Sequence, residues 1–232
     1  MTTKTDSKTS KSGKSGSKTA EATDTAVVLA LLDRQPHTYA AKAGIRLRNT
    51  PAPLYQMLVL AILLSARIKA DIGVRAARAL FDAGLRDPRS MADATWQERV
   101  DALGEGGYRR YDERTSTMLG KGAELLLERY GGDLRRLRGE PDPKAALLDV
   151  PGIGPTGVDI FLRDVQGVWP EFAPYIDGKA MDGARRLGLP TSPEELGGLV
   201  ADREMPRLAD GLVHVALDKP FAAEVRAAAE PE

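Results

Sequence analysis

The chain has 232 residues, no cysteine, two isolated histidines, and 33 basic against 33 acidic residues. This composition excludes disulfide frameworks, thiolate catalysis and Cys-ligated metal centres, and metal sites need clustered ligands that His37 and His214 do not provide. No apolar run reaches the roughly 20 residues needed to cross a bilayer. We therefore expect a protein of one large or two small domains, without a membrane partner, a metal site or a bound cofactor.

The first 25 residues differ in composition from the rest of the chain. They are rich in Ser, Thr, Lys and Gly, carry five lysines against three acidic residues, and contain no large apolar residue after Met1. Such a segment cannot offset the entropy lost on ordering, so we predict a disordered tail over residues 1–25. The tail is either a cationic arm that binds DNA phosphates or a solubilising leader. The lack of an apolar signal segment indicates a cytoplasmic protein.

The rest of the chain is predicted to be helical. Thr50 and Pro51 are typical of the start of a helix, which the apolar stretch after them predicts to be buried through about Arg67. Thr95 and Glu98 have capping-box spacing, and Trp96 behind that cap is expected in the core. Period-2 alternation is nearly absent, so the predicted fold class is all-α. Further helices are predicted over 71–84, 109–131, 142–149, 177–187, 192–200, 206–217 and on to about 229.

A compact turn lies within the stretch DVPGIGPTGVDIFLRDV, residues 149–165. Apolar residues with helical spacing flank the turn, which predicts a helix, a tight glycine-rich turn and a second helix. Glycines permit positive φ and close approach of another surface, and the N-terminus of the second helix presents free N–H groups to an anion. The turn is therefore predicted to bind a phosphate group. The residues predicted to contact DNA are Gly152, Ile153, Gly154, Thr156 and Gly157.

The turn VPGIG resembles the hairpin of the helix-hairpin-helix family. Together with LLSAR before it and YIDGKAMDGARRLGLP after it, the stretch from about Thr50 to Pro190 resembles the endonuclease III-like (HhH-GPD) DNA glycosylases. The resemblance implies a two-lobed helical fold whose cleft holds a base flipped out of the duplex. It implies a central lobe over residues 50–167 and a second lobe formed by residues 26–49 and 168–232.

The resemblance also implies roles for individual residues. Asp177 matches the family's catalytic carboxylate, which would stabilise the cation-like sugar or activate water while the base leaves. Arg67 and Tyr108 match the two loops that fill the gap left by the flipped base. The implied partner is double-stranded DNA, the implied location is the cytoplasm with the nucleoid, and the protein is expected to be a monomer.

The chain departs from the family at two places. Thr156 occupies the position of the lysine that forms a Schiff base in bifunctional members, and a hydroxyl cannot form an imine. The sequence therefore predicts base release without strand cleavage. In the alternative, Lys179, at a different position in the chain, would act as the lysine nucleophile. Without cysteines the chain cannot ligate the iron–sulfur cluster that many members hold.

Other interpretations stay open at this point. Asp177 has the position of a plain helix N-cap, and a relative that binds distorted DNA without releasing a base has the same motifs. A helical protein-interaction domain without nucleic acid is a third alternative. Asp159 and Asp164 are expected to be solvated and to face away from DNA. The damaged base is open among oxidised pyrimidine, mispaired adenine, uracil and alkylated purine.

Overall fold

The computed structural model describes the backbone of residues 13–230 and the side chains of residues 21–230. Within these residues the secondary structure is helical, without a strand, and no helix is both long and apolar enough to cross a membrane. Two short 3₁₀ turns, at Pro170–Phe172 and Asp202–Glu204, separate some of the α-helices. The α-helices are α1 (Gly13–Arg34), α2 (Tyr39–Lys42), α3 (Pro51–Leu64), α4 (Ala70–Asp82), α5 (Pro88–Asp93), α6 (Trp96–Glu105), α7 (Asp112–Tyr130), α8 (Leu134–Leu137), α9 (Pro143–Leu148), α10 (Pro155–Val165), α11 (Gly178–Leu187), α12 (Pro193–Gly198), α13 (Met205–Leu217) and α14 (Lys219–Ala229).

The first helix begins earlier than the sequence predicts. Residues 13–25 of the predicted tail lie within α1, and residues 1–12 lie outside the described residues. The apolar face of α1, which includes Val28 and Leu31, is buried against the helices of the C-terminal part. Because the residues just before that face are mostly Ala, Thr and charged residues, none of which breaks a helix, the helix continues towards the N-terminus.

The larger hydrophobic core surrounds α3. Its residues from Leu54 to Leu63 are buried except Gln56, which confirms the prediction of a buried helix, although the helix ends at Leu64 rather than at Arg67. Helices α4, α7 and α10 contribute the surrounding side chains, and Trp169 closes the core with its indole Nε1 donating to Asn49 at 3.0 Å. This core therefore fixes the hairpin helix α10 directly against α3.

A second, smaller core is formed by α1, α11, α13 and α14. Helices α11 and α13 cross most closely at Gly183, whose Cα faces the backbone carbonyl of Leu212. Ala40, Ala43 and Ile45 pack into the larger core, although the predicted boundary assigns residues 26–49 to the second lobe. The chain passes from one core to the other between α1 and α2, because the apolar residues of α2 face α3 and its neighbours.

The structure confirms one predicted capping box, whereas Thr50 precedes α3 without a side-chain capping hydrogen bond. The capping box of Thr95 and Glu98 is present at the start of α6. Trp96 is 42% exposed, so its predicted core position is wrong. Its Nε1 donates to the Glu113 carbonyl at 3.3 Å and to Thr117 at 3.2 Å. The buried residues of α6 are instead Arg99, Ala102 and Leu103, and Arg99 donates to the backbone carbonyls of three residues.

Candidate nucleic-acid interface

The glycine-rich turn joins α9 to α10, as predicted. Gly152 has φ +96, and a Cβ at this position would lie 3.2 Å from the Met118 side chain and 3.3 Å from Ile62. Both the backbone angle and the close packing therefore require glycine here. No described side chain caps α10, whose N-cap is Gly154, so the first N–H groups of the helix lack side-chain partners. This arrangement leaves backbone donors for an anion at the turn.

Within the hairpin, the predicted DNA contacts divide into exposed and buried residues. Thr156 is exposed on the first turn of α10, and Gly152 and Gly154 are partly exposed. Ile153 is 7% exposed and packs inward, and Gly157 is buried beneath it. The side chain of Ile153 thus packs into the larger core and anchors the turn there.

Two adjoining cavities form a groove beside the turn. The first has a volume of about 450 Å³ and includes Gly152, Ile153 and Gly154 in its wall; the second has a volume of about 640 Å³. Arg67 and Tyr108 line both cavities and thereby join them. We name these two cavities together the hairpin groove. Its basic residues are Arg67, Lys69, Arg109, Arg110 and Arg114, and its lining contains no carboxylate.

The five cations of the hairpin groove are exposed, and none forms an ion pair within the described part of the chain. Outside the hairpin groove, by contrast, Arg129 forms an ion pair with Asp149 at 2.9 Å, and Arg135 forms one with Asp133 at 2.6 Å. Other cations, such as Arg46, Arg89 and Lys121, also form no ion pair among the described residues, but the hairpin groove brings five such cations together without a carboxylate in its lining. A groove of this kind attracts polyanions such as nucleic acid.

The structure does not present Tyr108 as a side chain that could enter a DNA duplex. Tyr108 is 3% exposed, and its hydroxyl accepts a hydrogen bond of 3.3 Å from Thr115. Burial raises the pKa of this hydroxyl. The exposed residues at the tip of the same loop are Arg109 and Arg110. Tyr108 therefore packs its side chain into the core and anchors its loop there. Arg67, on the loop between α3 and α4, is exposed, as a residue that contacts DNA must be.

Asp177 lies at the N-cap of α11 and is almost completely buried. Its Oδ1 accepts the N–H groups of Lys179 at 2.7 Å and of Ala180 at 3.1 Å. Its Oδ2 lies 2.7 Å from Arg163 Nε, and its side chain is 4% exposed. Oδ1 is thus hydrogen-bonded, Oδ2 lies in an ion pair but accepts no hydrogen bond from a described residue, and Asp177 does not line the hairpin groove.

A buried group of charges surrounds that ion pair. Arg163 Nη1 lies 3.6 Å from Asp210, which accepts the backbone N–H of Tyr39 at 2.8 Å, and Asp164 is buried nearby. The expectation that Asp164 is solvated is thus wrong. Burial, and secondarily the charge of Asp210, raise the pKa of Asp164 well above its usual value, and burial also raises the pKa of Asp210. Arg163 thus forms ion pairs with two of these three buried carboxylates, Asp177 and Asp210, and its charge also acts on the third, Asp164.

Replacing Asp164 with asparagine is expected to stabilise the protein at neutral pH. Because its folded pKa is raised, the wild-type carboxylate destabilises the fold progressively as pH rises above the unfolded value of about 3.9. The variant should gain about 1 kcal/mol or more in free energy of unfolding at pH 7.5. The gain should shrink as the pH is lowered towards 4. Urea unfolding at several pH values measures it, with the exposed Asp101→Asn as control; an equal gain at every pH would contradict the assignment.

Lys179 and Thr156, the two remaining predicted catalytic residues, are both exposed. Lys179 Nζ lies 2.9 Å from Asp182, on the outer face of α11. The structure therefore does not bring Asp177, Thr156 and Lys179 into one cavity. Sequence analysis missed Arg163, although an arginine between Leu162 and Asp164, in the middle of an apolar helix face, was a signal for a buried ion pair.

Comparisons with known proteins show the fold. The sequence matches no protein-family model, and no curated protein is significantly similar to it. Among solved structures, a thermostable thymine-DNA glycosylase is 17% identical with a TM-score of 0.58, over 87% of this chain and 88% of that chain. Endonuclease III in a non-covalent complex with DNA is 18% identical with a TM-score of 0.50, over 80% of each chain. The predicted all-α, helix-hairpin-helix DNA glycosylase fold is thereby confirmed.

Proposed function

We propose that the protein binds double-stranded DNA in the hairpin groove and releases a damaged or mispaired base by hydrolysis, as a monofunctional DNA glycosylase. The observation that carries this proposal is the set of five unpaired cations beside the uncapped N-terminus of α10. Two solved structures with this fold are a thymine-DNA glycosylase and an endonuclease III–DNA complex. This similarity supports DNA as the substrate of this protein.

The groove suits a distorted duplex. Phosphates would contact the free N–H groups of the turn and the guanidinium groups of Arg67, Arg109 and Arg110, and these contacts would hold the duplex while a base leaves the stack. Flipping costs a few kcal/mol, least at a damaged or mismatched pair, so the two arginine-bearing loops would favour such sites. Salt should weaken this binding steeply.

Asp177 is the carboxylate that we propose for charge stabilisation during base release. Cleavage of the C1′–N bond leaves positive charge on the sugar, which a fixed carboxylate stabilises. The cap of α11 fixes Asp177 through two backbone N–H groups. For full effect the sugar must replace Arg163 beside Oδ2, because the ion pair neutralises the carboxylate in this structure.

Strand cleavage is not expected to accompany base release. The residue on the first turn of α10 is Thr156, which has no amine to form an imine, and Lys179 is paired with Asp182. An exposed lysine engaged with a carboxylate is a poor nucleophile because the pair favours its protonated form. Product analysis should therefore detect abasic sites in an unbroken strand.

A second candidate function is DNA binding without base release. The ion pair of Asp177 with the buried Arg163 favours it, because the guanidinium lies beside Oδ2, where a sugar or a water molecule would have to bind. In this alternative the groove recognises distorted DNA, and Asp177 only caps α11.

One experiment separates the two candidates. Duplexes containing uracil, an oxidised pyrimidine, adenine opposite 8-oxoguanine, or an alkylated purine are incubated with the wild type, and base loss and strand scission are measured separately. Asp177→Asn keeps a capping side chain, so we expect normal DNA binding and base release slowed about 100-fold or more. Asp218→Asn is the matched control, because Asp218 caps α14 in the same core.

The outcomes have distinct meanings. Base release by the wild type and the control but not by Asp177→Asn supports the glycosylase. Salt-sensitive binding without base release from any duplex supports the second candidate. Absence of DNA binding contradicts both and favours a protein-interaction domain.

A further inference from the structure

One face of the hairpin helix α10 is directed at the segment that leads to Asp177. Thr156, Asp159 and Arg163 follow one another at spacings of three and four residues, so their side chains share this face. Asp159 accepts a hydrogen bond of 2.7 Å from the Tyr175 hydroxyl. Arg163 forms an ion pair with Asp177, which follows Tyr175 by two residues in the chain. The segment from Tyr175 to Asp177 therefore runs along the same face of the helix.

Exposure changes systematically along this face. Thr156 is exposed, Asp159 is partly exposed, and Arg163 is 5% exposed. Access from solvent therefore exists at the hairpin end of the helix and is lost at the Arg163 end. A ligand held by the turn would meet Asp159 before it could reach Asp177.

The two carboxylates on this face have different partners. Asp177 is neutralised by a buried guanidinium, whereas Asp159 forms no ion pair with any described residue. The hydrogen bond from Tyr175 holds Asp159 in place without neutralising its charge. Tyr175 is itself fixed, since its backbone N–H donates to Gln166 at 2.8 Å and Lys144 Nζ lies 4.8 Å from the centre of its ring.

An unneutralised carboxylate at this position is unfavourable for DNA binding alone. Asp159 is one helical turn from Thr156, at the end of the helix that would hold a phosphate, so its charge repels the ligand. Asn or Ser at this position would keep a hydrogen bond with Tyr175 without that repulsion. The arrangement becomes favourable only when positive charge develops nearby or a proton has to be accepted.

We infer that Asp159, held by Tyr175, is the carboxylate that activates water for base release, and this inference rests on the proposed function. In the step, a water oxygen bonds to C1′ of the flipped nucleotide while the C1′–N bond breaks. The electron pair of that bond leaves with the base, which takes a proton from solvent, and the water proton passes to Asp159. Asp177 and Asp159 thus have separate roles, one stabilising charge and the other accepting a proton, as their different environments allow.

The test compares single-turnover base release and equilibrium DNA binding for the same variants. Asp159→Asn should slow base release about 100-fold, the lower range for loss of a general base. Because it removes a repelling charge, the same variant should bind DNA roughly two- to fivefold more tightly. Tyr175→Phe should slow base release about fivefold, since it removes one hydrogen bond to a charged group. The exposed Asp101→Asn is the control for net charge, and thermal unfolding checks that each variant is folded.

Opposite changes in rate and affinity support the inference, because a purely structural role would not improve binding. If Asp159→Asn releases base within threefold of the wild-type rate, the inference is wrong and the proposed function stands. Slow release combined with weaker binding and a lower melting temperature also overturns it, in favour of a structural role. If the wild type releases no base, both the inference and the proposed glycosylase are wrong.

Discussion

Gly183→Ala is expected to lower the free energy of unfolding by about 3 kcal/mol or more, at or above the upper end of the usual range for overpacking. A Cβ at Gly183 would overlap the carbonyl oxygen of Leu212 and lie 2.6 Å from the carbonyl carbon. These are backbone atoms of α13, so no side-chain rotation can relieve the overlap. The two helices must separate, and the apolar side chains between them then lose contacts. Urea unfolding followed by circular dichroism measures the loss.

Gly178→Ala is the matched control for that experiment. Gly178 begins the same helix, its Cα has open space around it, and its φ is not positive. Alanine there should change stability by less than about 1 kcal/mol. Equal midpoints for the two variants would show that α11 and α13 do not cross as closely as described. Because α11 carries Asp177 at its N-cap, Gly183→Ala should also impair any reaction that depends on Asp177.

The features of the fold that could be predicted are those that residues close together in the sequence determine. The buried helix α3 was predicted from a continuous apolar run, and the hairpin from two glycines and two prolines between apolar segments. The cap at Thr95 was predicted from a spacing of three residues. Each of these features is fixed by local backbone geometry and periodicity, which one sequence contains.

The partners of the charged residues were not predictable in this way. Asp177 was correctly placed at a helix start, but its pairing with Arg163 depends on how the segment after Trp169 returns across α10. Asp164 was expected in solvent, and the packing of α13 buries it. The residues next to Asp177 do not distinguish a buried from a solvated carboxylate, since its partner Arg163 is contributed by a different helix. For Asp164, the adjacent Arg163 was a signal that the prediction did not use. Predictions of their roles from motifs were therefore less secure than predictions of the helices.

The side-chain directions of two aromatic residues, one at a helix start and one in a loop, differ from the prediction for a related reason. Trp96 lies behind a cap, where either face of the helix could turn inward, and the structure buries Arg99 instead. Tyr108 occupies the expected loop, but its side chain faces the core and the neighbouring arginines face solvent. The direction of a single side chain in a short loop is set by the helices around it.

Replacing Arg67, Arg109 and Arg110 together with alanine is expected to weaken binding to duplex DNA about 100-fold, at roughly 1 kcal/mol for each lost phosphate contact. These guanidinium groups have no carboxylate partner among the described residues, so DNA would not have to displace an existing ion pair. Fluorescence anisotropy over a range of salt concentrations measures both the affinity and its salt dependence. The slope of log affinity against log salt should fall by about three, one for each phosphate contact removed.

The control removes the same net charge from arginines that are already paired. Arg86, Arg135 and Arg203 lie within 4.0 Å of Asp82, Asp133 and Glu204 respectively, and their replacement by alanine leaves the hairpin groove intact. If net charge alone governed binding, both triple variants would lose the same affinity. We expect the control to lose less than about threefold, because none of these arginines lines the hairpin groove, so no phosphate contact there is lost, and salt screens charges beyond about 10 Å. A loss in the control equal to that of the groove variant would mean that the hairpin groove is not the DNA-binding surface, since the effect would then be independent of where the charge lies.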